Sequence, residues 1–355
     1  MLTHEHFMQR CLDLAEKGLG YVAPNPLVGC VIVREGHIIS KGYHRQYGGP
    51  HAEVEAIRNC PDERLLKEST LYVNLEPCSH HGKTPPCSDL IIAKGIPYVV
   101  VGCMDPNPLV KGKGMQKLIA NGVDVKLGVL EKESEFLNRR FFGWIKNDRP
   151  YIILKWAESA DGFIDHIRST KQHRAIISSP EAHLLVHQWR SEEAAILVGT
   201  NTVLQDDPQL TVRLTEGRNP VRMTFDRRKR IPAEARILDG TSPTIIFTEG
   251  AHYYNDRAEF IPVDFDDDPI QQVLTLMKNR NLQSLLVEGG AALLNKFIEH
   301  DLWDEARVFV SRESLGGGVK APDFTFSPMK TEAVGPDKLS IYLNDPPGSS
   351  LPTPD

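Results

Sequence analysis

Two short stretches hold the residues with the most chemistry to offer, "GGPHAEVEAI" around His51 and "LEPCSHHGKTPPC" around Cys78 and Cys87. One imidazole and two thiols are borderline and soft donors, a set that suits zinc. Cys78 and Cys87 each follow a proline in a loop, and Cys87 opens a helical stretch. A thiol at a helix N-terminus has a lowered pKa and ligates metal readily. Three protein ligands leave a fourth position open, which is the arrangement of a catalytic zinc; a fourth ligand from His80 or His81 would instead close the site into a structural clamp. The acid partner is also ambiguous. His51 and Glu55 lie four apart and share a helix face, whereas Glu53 is two away and faces elsewhere on a regular helix. Glu53 serves only if His51 and Glu53 sit at the first turn of the helix, and Gly48-Gly49-Pro50 favours a helix start there.

The remaining cysteines, Cys11, Cys30, Cys60 and Cys103, fall in apolar helical or strand-like patterns and read as structural. All 6 cysteines of the 355-residue chain lie in its first third. That lopsided use fits thiols in a reducing cytoplasm better than a disulfide scaffold. A formal net charge of −6 argues against a nucleic-acid or membrane-surface binder. No apolar run is long enough to span a bilayer, and the N-terminus reads as an amphipathic helix rather than a secretion signal.

These groups need a scaffold to position them. From Leu27 to Gly128, "LVGCVIV", "TLYVNLE", "YVVVGC" and "VDVKLGVL" read as strands. Helical stretches at Ala52–Cys60, Pro86–Lys94 and Gly114–Asn121 lie between them, which gives a three-layer α/β domain. "EKESEFLNRRFFGWIK" reads as one helix. The polar stretch Asn147–Pro150 then divides the chain, giving domains at 1–147 and 148–345. In the second domain "YIILKWA", "AAILVG", "VRMTF", "TIIF", "SLLVEGG" and "EARVFV" read as strands, with helices at Pro180–Arg190, Asp268–Asn279 and Ala291–His300, again α/β. The tail at 346–355, rich in Pro, Ser and Asp, reads as disordered.

His-x-Glu followed by Pro-Cys and a second Cys resembles the zinc-dependent nucleobase deaminases, whose Glu moves protons and does not ligate. Eight residues separate Cys78 from Cys87, where the general signature has two. With "PNPLVGCVIV", "PHAEV" and "DPNPLVKGKG", this spacing resembles the pyrimidine deaminase domain of the bifunctional riboflavin-biosynthesis deaminase–reductases, from about residue 5 to 145. The resemblance implies a cytidine-deaminase-like fold, one Zn2+ held by His51, Cys78 and Cys87, and Glu53 as the proton shuttle. It further implies hydrolytic loss of the 2-amino group of a 2,5-diamino-6-ribosylamino-pyrimidinone 5'-phosphate. Asn25, His44, Ser79, Lys83 and Asn107 fall in the matching loops and would surround base and phosphate.

In the second half, the strand–Gly-Gly–helix unit "LLVEGGAALLNKF" could hold a phosphate on backbone N–H groups, although it lacks the Gly-x-Gly-x-x-Gly dinucleotide pattern. "LKWAESADG", "ILVGTNTVLQDDPQLTVR" and "LLVEGG" resemble the reductase domain of the same family, over about 150–345. The resemblance implies a dihydrofolate-reductase-like fold, NADPH, and hydride transfer that opens the ribosyl group to ribityl. By matching position, Ala157, Ile176, Thr202, Asp206 and the turn Gly290, Ala291, Ala292, Leu293, Leu294, Asn295 and Lys296 would bind the cofactor. Arg174, Arg190, Leu210, Arg213 and Glu288 would hold the substrate, with Lys155 and Asp206 assisting proton movement. Two arginines suit a phosphate because the guanidinium fork pairs it bidentately. The chain departs from the family at 174–177, where Arg174-Ala175-Ile176-Ile177 replaces Ser-x-Trp-Ile. "SADG" likewise stands for the family's "SLDG". The resemblance also implies a homo-oligomer associating through the reductase domain.

Two other readings make different demands. A tRNA or DNA deaminase would show a basic strand-binding face and Cys-x-x-Cys spacing. A zinc-stabilised nucleotide-sensing module without catalysis would tolerate loss of Glu53.

Overall fold

The structure is a computed structural model that describes residues 2–79, 85–108, 110–168 and 174–344. It divides into two compact units, 1–148 and 149–355. The tail at 346–355 lies outside the described residues.

In the first unit the chain runs α1 (His4–Ala15), β1 (Gly29–Arg34), β2 (His37–Tyr43), α2 (Ala52–Arg58), β3 (Thr70–Leu75), α3 (Cys87–Lys94), β4 (Tyr98–Cys103), α4 (Lys113–Ala120), β5 (Asp124–Leu127), α5 (Glu131–Leu137) and α6 (Arg139–Asn147). The strands form one sheet in the order β2-β1-β3-β4-β5. β1 pairs antiparallel with β2 and β3, while β3, β4 and β5 run parallel. The strands alternate their apolar residues between two faces. Cys30, Ile32, Leu71, Val73, Val99 and Val101 pack against α2, α3 and α4 on one side. Val31, Val33, Tyr72 and Val100 pack against α1 on the other. This is the expected three-layer domain.

Local departures from the sequence reading have local causes. β2 was not expected: "HIISKGY" lies at the sheet edge with only Ser40 and Gly42 buried, so no apolar run marks it. The single helix expected across "EKESEFLNRRFFGWIK" is two helices joined at Asn138. The buried Asn138 side chain accepts the Leu27 N–H through Oδ1 at 2.7 Å and donates through Nδ2 to the Leu27 carbonyl at 2.9 Å. An asparagine bonding a distant backbone in this way trades helix continuity for a tertiary anchor.

The second unit contains β6 (Tyr151–Glu158), β7 (Phe163–Asp165), α7 (Pro180–Glu192), β8 (Ala195–Val198), α8 (Thr200–Asp206), β9 (Val221–Phe225), β10 (Thr244–Thr248), β11 (Tyr253–Tyr254), β12 (Glu259–Pro262), α9 (Pro269–Asn279), β13 (Ser284–Val287), α10 (Ala291–Glu299), β14 (Glu305–Val310), β15 (Val319–Lys320), β16 (Lys330–Val334) and β17 (Asp337–Leu343). Ten strands form a sheet in the order β11-β12-β10-β9-β8-β13-β6-β14-β17-β16. The seven from β12 to β14 are parallel neighbours, and antiparallel strands close both edges. α9 and α10 cover one face through Val273, Met277, Leu294 and Phe297. α7 and α8 cover the other through Ala182, Val186, Trp189 and Val203. The carboxyl ends of the parallel strands therefore deliver β8 into α8 and β13 into α10, the edge where open α/β sheets bind ligands.

Candidate functional site

In the first unit, α2 sits directly over β2. A Cβ on Gly42 would lie 2.5 Å from the Ala56 nitrogen and 2.6 Å from the Ala52 carbonyl. Glycine at 42 thus permits the close approach that fixes where α2 begins. His51 is the residue before its first turn, with extended backbone (φ −71°, ψ 158°). Glu53 falls in that first turn and is 3% exposed. Its carboxyl lies within hydrogen-bonding reach of the Cys87 thiol. Glu55, which plain helix spacing favoured, instead takes the Arg45 guanidinium at 2.9 Å. The helix start thus places Glu53, not Glu55, beside Cys87.

Cys78 follows the end of β3 and Cys87 opens α3. Their sulfurs lie 3.6 and 3.3 Å from His51 Nδ1, and the three donor atoms are all within 4.8 Å of one another. A tetrahedral zinc with bonds of about 2.3 Å to sulfur and about 2.0 Å to nitrogen has N···S edges of about 3.5 Å. The donor set therefore fits zinc in both chemistry and spacing. His80 and His81, the side chains that could close the site, lie outside the described residues, as does Lys83.

The hydrogen bond from Cys87 holds the Cys78 thiol down at about 4, and the same shared proton, together with burial, pushes Cys87 up. The N–H of Cys87 at the start of α3 donates to Cys78 Sγ at 3.3 Å. The start of α3 thus also stabilises a thiolate at Cys78. Burial, with the Cys78 charge, raises the Glu53 carboxyl to about 7.

His44 stands with its ring centroid 5.8 Å from that of His51. Its Nδ1 faces the Pro50 carbonyl at 2.9 Å, which can only accept, so Nδ1 carries the proton and Nε2 accepts from Asn25 Nδ2 at 3.1 Å. Burial lowers the pKa of this imidazole, with the Pro50 hydrogen bond opposing. Asn25 and His44 are thus brought beside His51. Ser79 follows Cys78 directly, and Asn107 is half-buried in the loop after β4.

The sequence reading passed over Glu76. It is buried beside Pro77-Cys78, and its two oxygens accept the N–H groups of Asp105 (3.3 Å), Gly112 (2.9 Å), Gly114 (2.9 Å) and Met115 (3.4 Å). One carboxylate thereby ties the Cys78 loop to the loop carrying Asn107 and to the start of α4. Packing there is tight, since a Cβ on Gly114 would come within 1.9 Å of the Pro77 carbonyl. Glu76→Gln would replace one accepting oxygen with an NH2 donor that faces two backbone N–H donors. It is expected to lower the free energy of urea unfolding by about 2–3 kcal/mol. An unchanged urea midpoint would refute this role. The signal, Glu immediately before Pro-Cys, was visible but carries no mechanism without the loop it binds.

In the second unit, Arg190 on α7 and Glu288 after β13 form a bidentate pair at 2.8 and 2.7 Å. Burial opposes ionisation of Glu288, but the Arg190 guanidinium and then Lys155 outweigh it and hold the carboxyl at about 2. Burial lowers Lys155, with Glu288 opposing and Arg190 and Arg174 adding to the effect. Arg213 feels Arg190 and Arg174. Arg174, Lys155 and Arg213 therefore lie within electrostatic reach of the Arg190–Glu288 pair or of one of its members. The reading also missed His183 and His187, which face these charges from α7. Their spacing with Arg190, at i, i+4 and i+7, was the available signal.

Several positions can serve only through their backbone. Leu210 is 3% exposed, with φ +56°, and packs in the core under α7. Leu293 and Leu294 face the opposite core. By contrast, Gly290 precedes α10 with no side-chain cap, and a Cβ there would lie 3.8 Å from Thr202 Oγ1. Open N–H groups beside the first turn of α8 at the sheet's carboxyl edge fit the diphosphate of a dinucleotide. Ala291, Ala292, Asn295 and Lys296 continue that helix start, and Ala157 is half-buried near the end of β6. Asp206 is engaged by Arg168, which also pairs Asp165. Ile176 is 78% exposed, so no protein packing claims its side chain.

Known proteins agree with this division. The family described as cytidine and deoxycytidylate deaminase zinc-binding region matches residues 1–103, and the RibD C-terminal domain matches residues 150–337. The riboflavin biosynthesis protein RibD of Aquifex aeolicus (strain VF5) is 40% identical over 328 residues, 90% of each chain. That of Synechocystis is 37% identical over 372 residues, covering 99% of this chain and 100% of that one. A crystal structure of a diaminohydroxyphosphoribosylaminopyrimidine deaminase/5-amino-6-(5-phosphoribosylamino)uracil reductase from Thermotoga maritima superimposes with a TM-score of 0.86. It is 39% identical and covers 95% of this chain and 97% of its own. With a cytidine-deaminase-like first unit, a reductase second unit and relatives matched along nearly its whole length, the chain belongs to the RibD family of bifunctional riboflavin biosynthesis proteins.

Proposed function

We propose that, in this deaminase–reductase, His51, Cys78 and Cys87 hold a catalytic zinc and Glu53 moves the protons of the deamination. The observation that carries the reading is the placement of three ligand atoms within 4.8 Å of one another with the buried Glu53 against them. Bound zinc supplies a Lewis acid and a water of lowered pKa, about 7. Glu53 would take one proton from the attacking water and pass it to the ring nitrogen, then carry the second proton, from the hydroxyl now on the ring carbon, to the amine, which leaves as ammonia as the C–N bond breaks. Asn25 and the neutral His44 orient the pyrimidine, joined by Ser79 and Asn107. The substrate is the 2,5-diamino-6-ribosylamino-pyrimidinone 5'-phosphate, which loses its 2-amino group as ammonia.

The second unit takes up the product with NADPH. NADPH supplies hydride to C1' of the ribosyl group. The helix start at Gly290–Lys296 and Thr202 bind the cofactor, joined by Ala157, Ile176 and Asp206. Arg190, Arg213, Arg174 and the Leu210 backbone bind the substrate phosphate and sugar. Glu288 keeps Arg190 in place, and Lys155 is positioned to exchange a proton as the sugar ring opens. We place the enzyme in the cytoplasm, acting on small molecules and associating through the reductase unit. No helix among the described residues is long and apolar enough to cross a membrane.

The test is direct. Purified protein should release ammonia from the diaminopyrimidine phosphate and then oxidise NADPH in equal amount. NADPH oxidation without prior ammonia release would contradict the order of the two steps.

A further inference from the structure

We propose that His187 is a neutral hydrogen-bond donor to the substrate phosphate in the reductase site, fixed in that role by the Arg213 backbone. The inference rests on reading Arg190 and Arg213 as phosphate-binding residues.

The geometry starts on α7. His183, His187 and Arg190 are spaced i, i+4 and i+7 and therefore share one face. Arg190 spends two of its N–H groups on Glu288. Arg213 donates Nη1 to Thr211 Oγ1 at 3.0 Å, and its backbone N–H donates to His187 Nδ1 at 3.0 Å. An imidazole nitrogen that accepts an amide proton carries none of its own, so the proton of neutral His187 sits on Nε2. His187 is 6% exposed, and among the described residues no hydrogen bond engages Nε2. Nor is Nε2 among the buried polar atoms sealed from solvent without a partner. The Nε2–H is thus a donor held ready in a nearly closed place.

The charges around it say what it awaits. Arg190 and Arg174 act on both Lys155 and Arg213 there, against the carboxylates Glu288 and, beside His183, Asp337. Such an excess of partly buried positive charge matches a multiply charged anion. A fifth cation would add repulsion. Burial, together with Arg190 and Arg213, keeps His187 uncharged by holding it at about 4. It therefore adds a donor without adding charge, and its Nδ1 sets the backbone from which the Arg213 side chain reaches.

Two readouts test this, with inorganic phosphate and the 5'-phosphate substrate as probes on the full chain. Long-range proton–nitrogen NMR of histidine-labelled protein should show His187 as the neutral Nε2–H tautomer, with Nε2 shifting as phosphate is added. His187→Asn keeps an acceptor at the Nδ1 position but lacks the distal N–H. It should raise the KM of the reductase step about 10–100-fold with kcat little changed, the loss of one hydrogen bond to a charged group. Arg213→Gln should weaken phosphate binding by at least as much. If Arg213→Gln weakens binding and His187→Asn does not, the His187 proposal is overturned while the site reading stands. If neither changes it, the reading of the phosphate site itself fails. A His187 resonance that ignores phosphate in the unaltered enzyme overturns the proposal whether or not the variant folds.

Discussion

Glu53→Ala is expected to slow ammonia release by about 10²–10⁴-fold, the range for loss of a general acid–base group, while zinc content stays at one per chain. The two effects separate because Glu53 contributes no ligand atom to the cluster of His51, Cys78 and Cys87. Folding should not suffer. A carboxyl that is 3% exposed carries a desolvation cost that alanine removes, and alanine is a good helix former in the first turn of α2. Glu55→Ala provides the comparison. It breaks the pair with Arg45, whose side chain is 57% exposed, and is expected to change stability by less than about 1 kcal/mol. Ammonia release should be largely kept. If Glu55→Ala matched Glu53→Ala, the helix-start argument would be wrong.

Glu288→Ala is expected to have the largest effect in the reductase unit. It leaves Arg190 and Lys155 without the carboxylate that offsets both charges, in a place where the Arg190 and Glu288 side chains are only 12% and 10% exposed. Removing one partner of a buried pair costs about 3–5 kcal/mol. NADPH oxidation should fall with it, and ammonia release should persist. The same pair gives the stability a defined pH window. Glu288 has its carboxyl lowered in the folded protein to about 2, against about 4.3 when unfolded. Its contribution, about 3 kcal/mol by linkage, is complete above the unfolded value. It is lost as pH falls through about 2. The unaltered enzyme should therefore lose stability between about pH 5 and pH 2, and Glu288→Ala should show a flatter slope there. Parallel acid-unfolding curves for the two proteins would refute the assignment.

Much of the site was legible because its parts are chemically distinctive and local. His51, Cys78 and Cys87 are rare ligand types beside glycine and proline, and the alternation of strands and helices set the layers around them. What the sequence hid depended on contacts far along the chain. The burial of Glu53 and the pairing of Glu55 with Arg45, ten positions back, are tertiary facts that helix spacing does not show. Glu76 gained meaning only from amides more than 28 residues away. The break at Asn138 came from its bonds to Leu27, across 111 positions. In the second unit, α8 and the hairpin of β16 and β17 carry few apolar runs, so neither was expected. His187 looked like one more residue on an amphipathic helix. Its role appears only when Arg213, 26 positions on, is brought to its Nδ1.

The most direct test is a crystal of freshly purified enzyme measured on both sides of the zinc absorption edge. One anomalous peak per chain is expected, about 2.3 Å from both sulfurs and about 2.0 Å from His51 Nδ1, with the remaining corner occupied by solvent. A histidine or other side chain at that corner, or no peak at all, would contradict a catalytic metal centre.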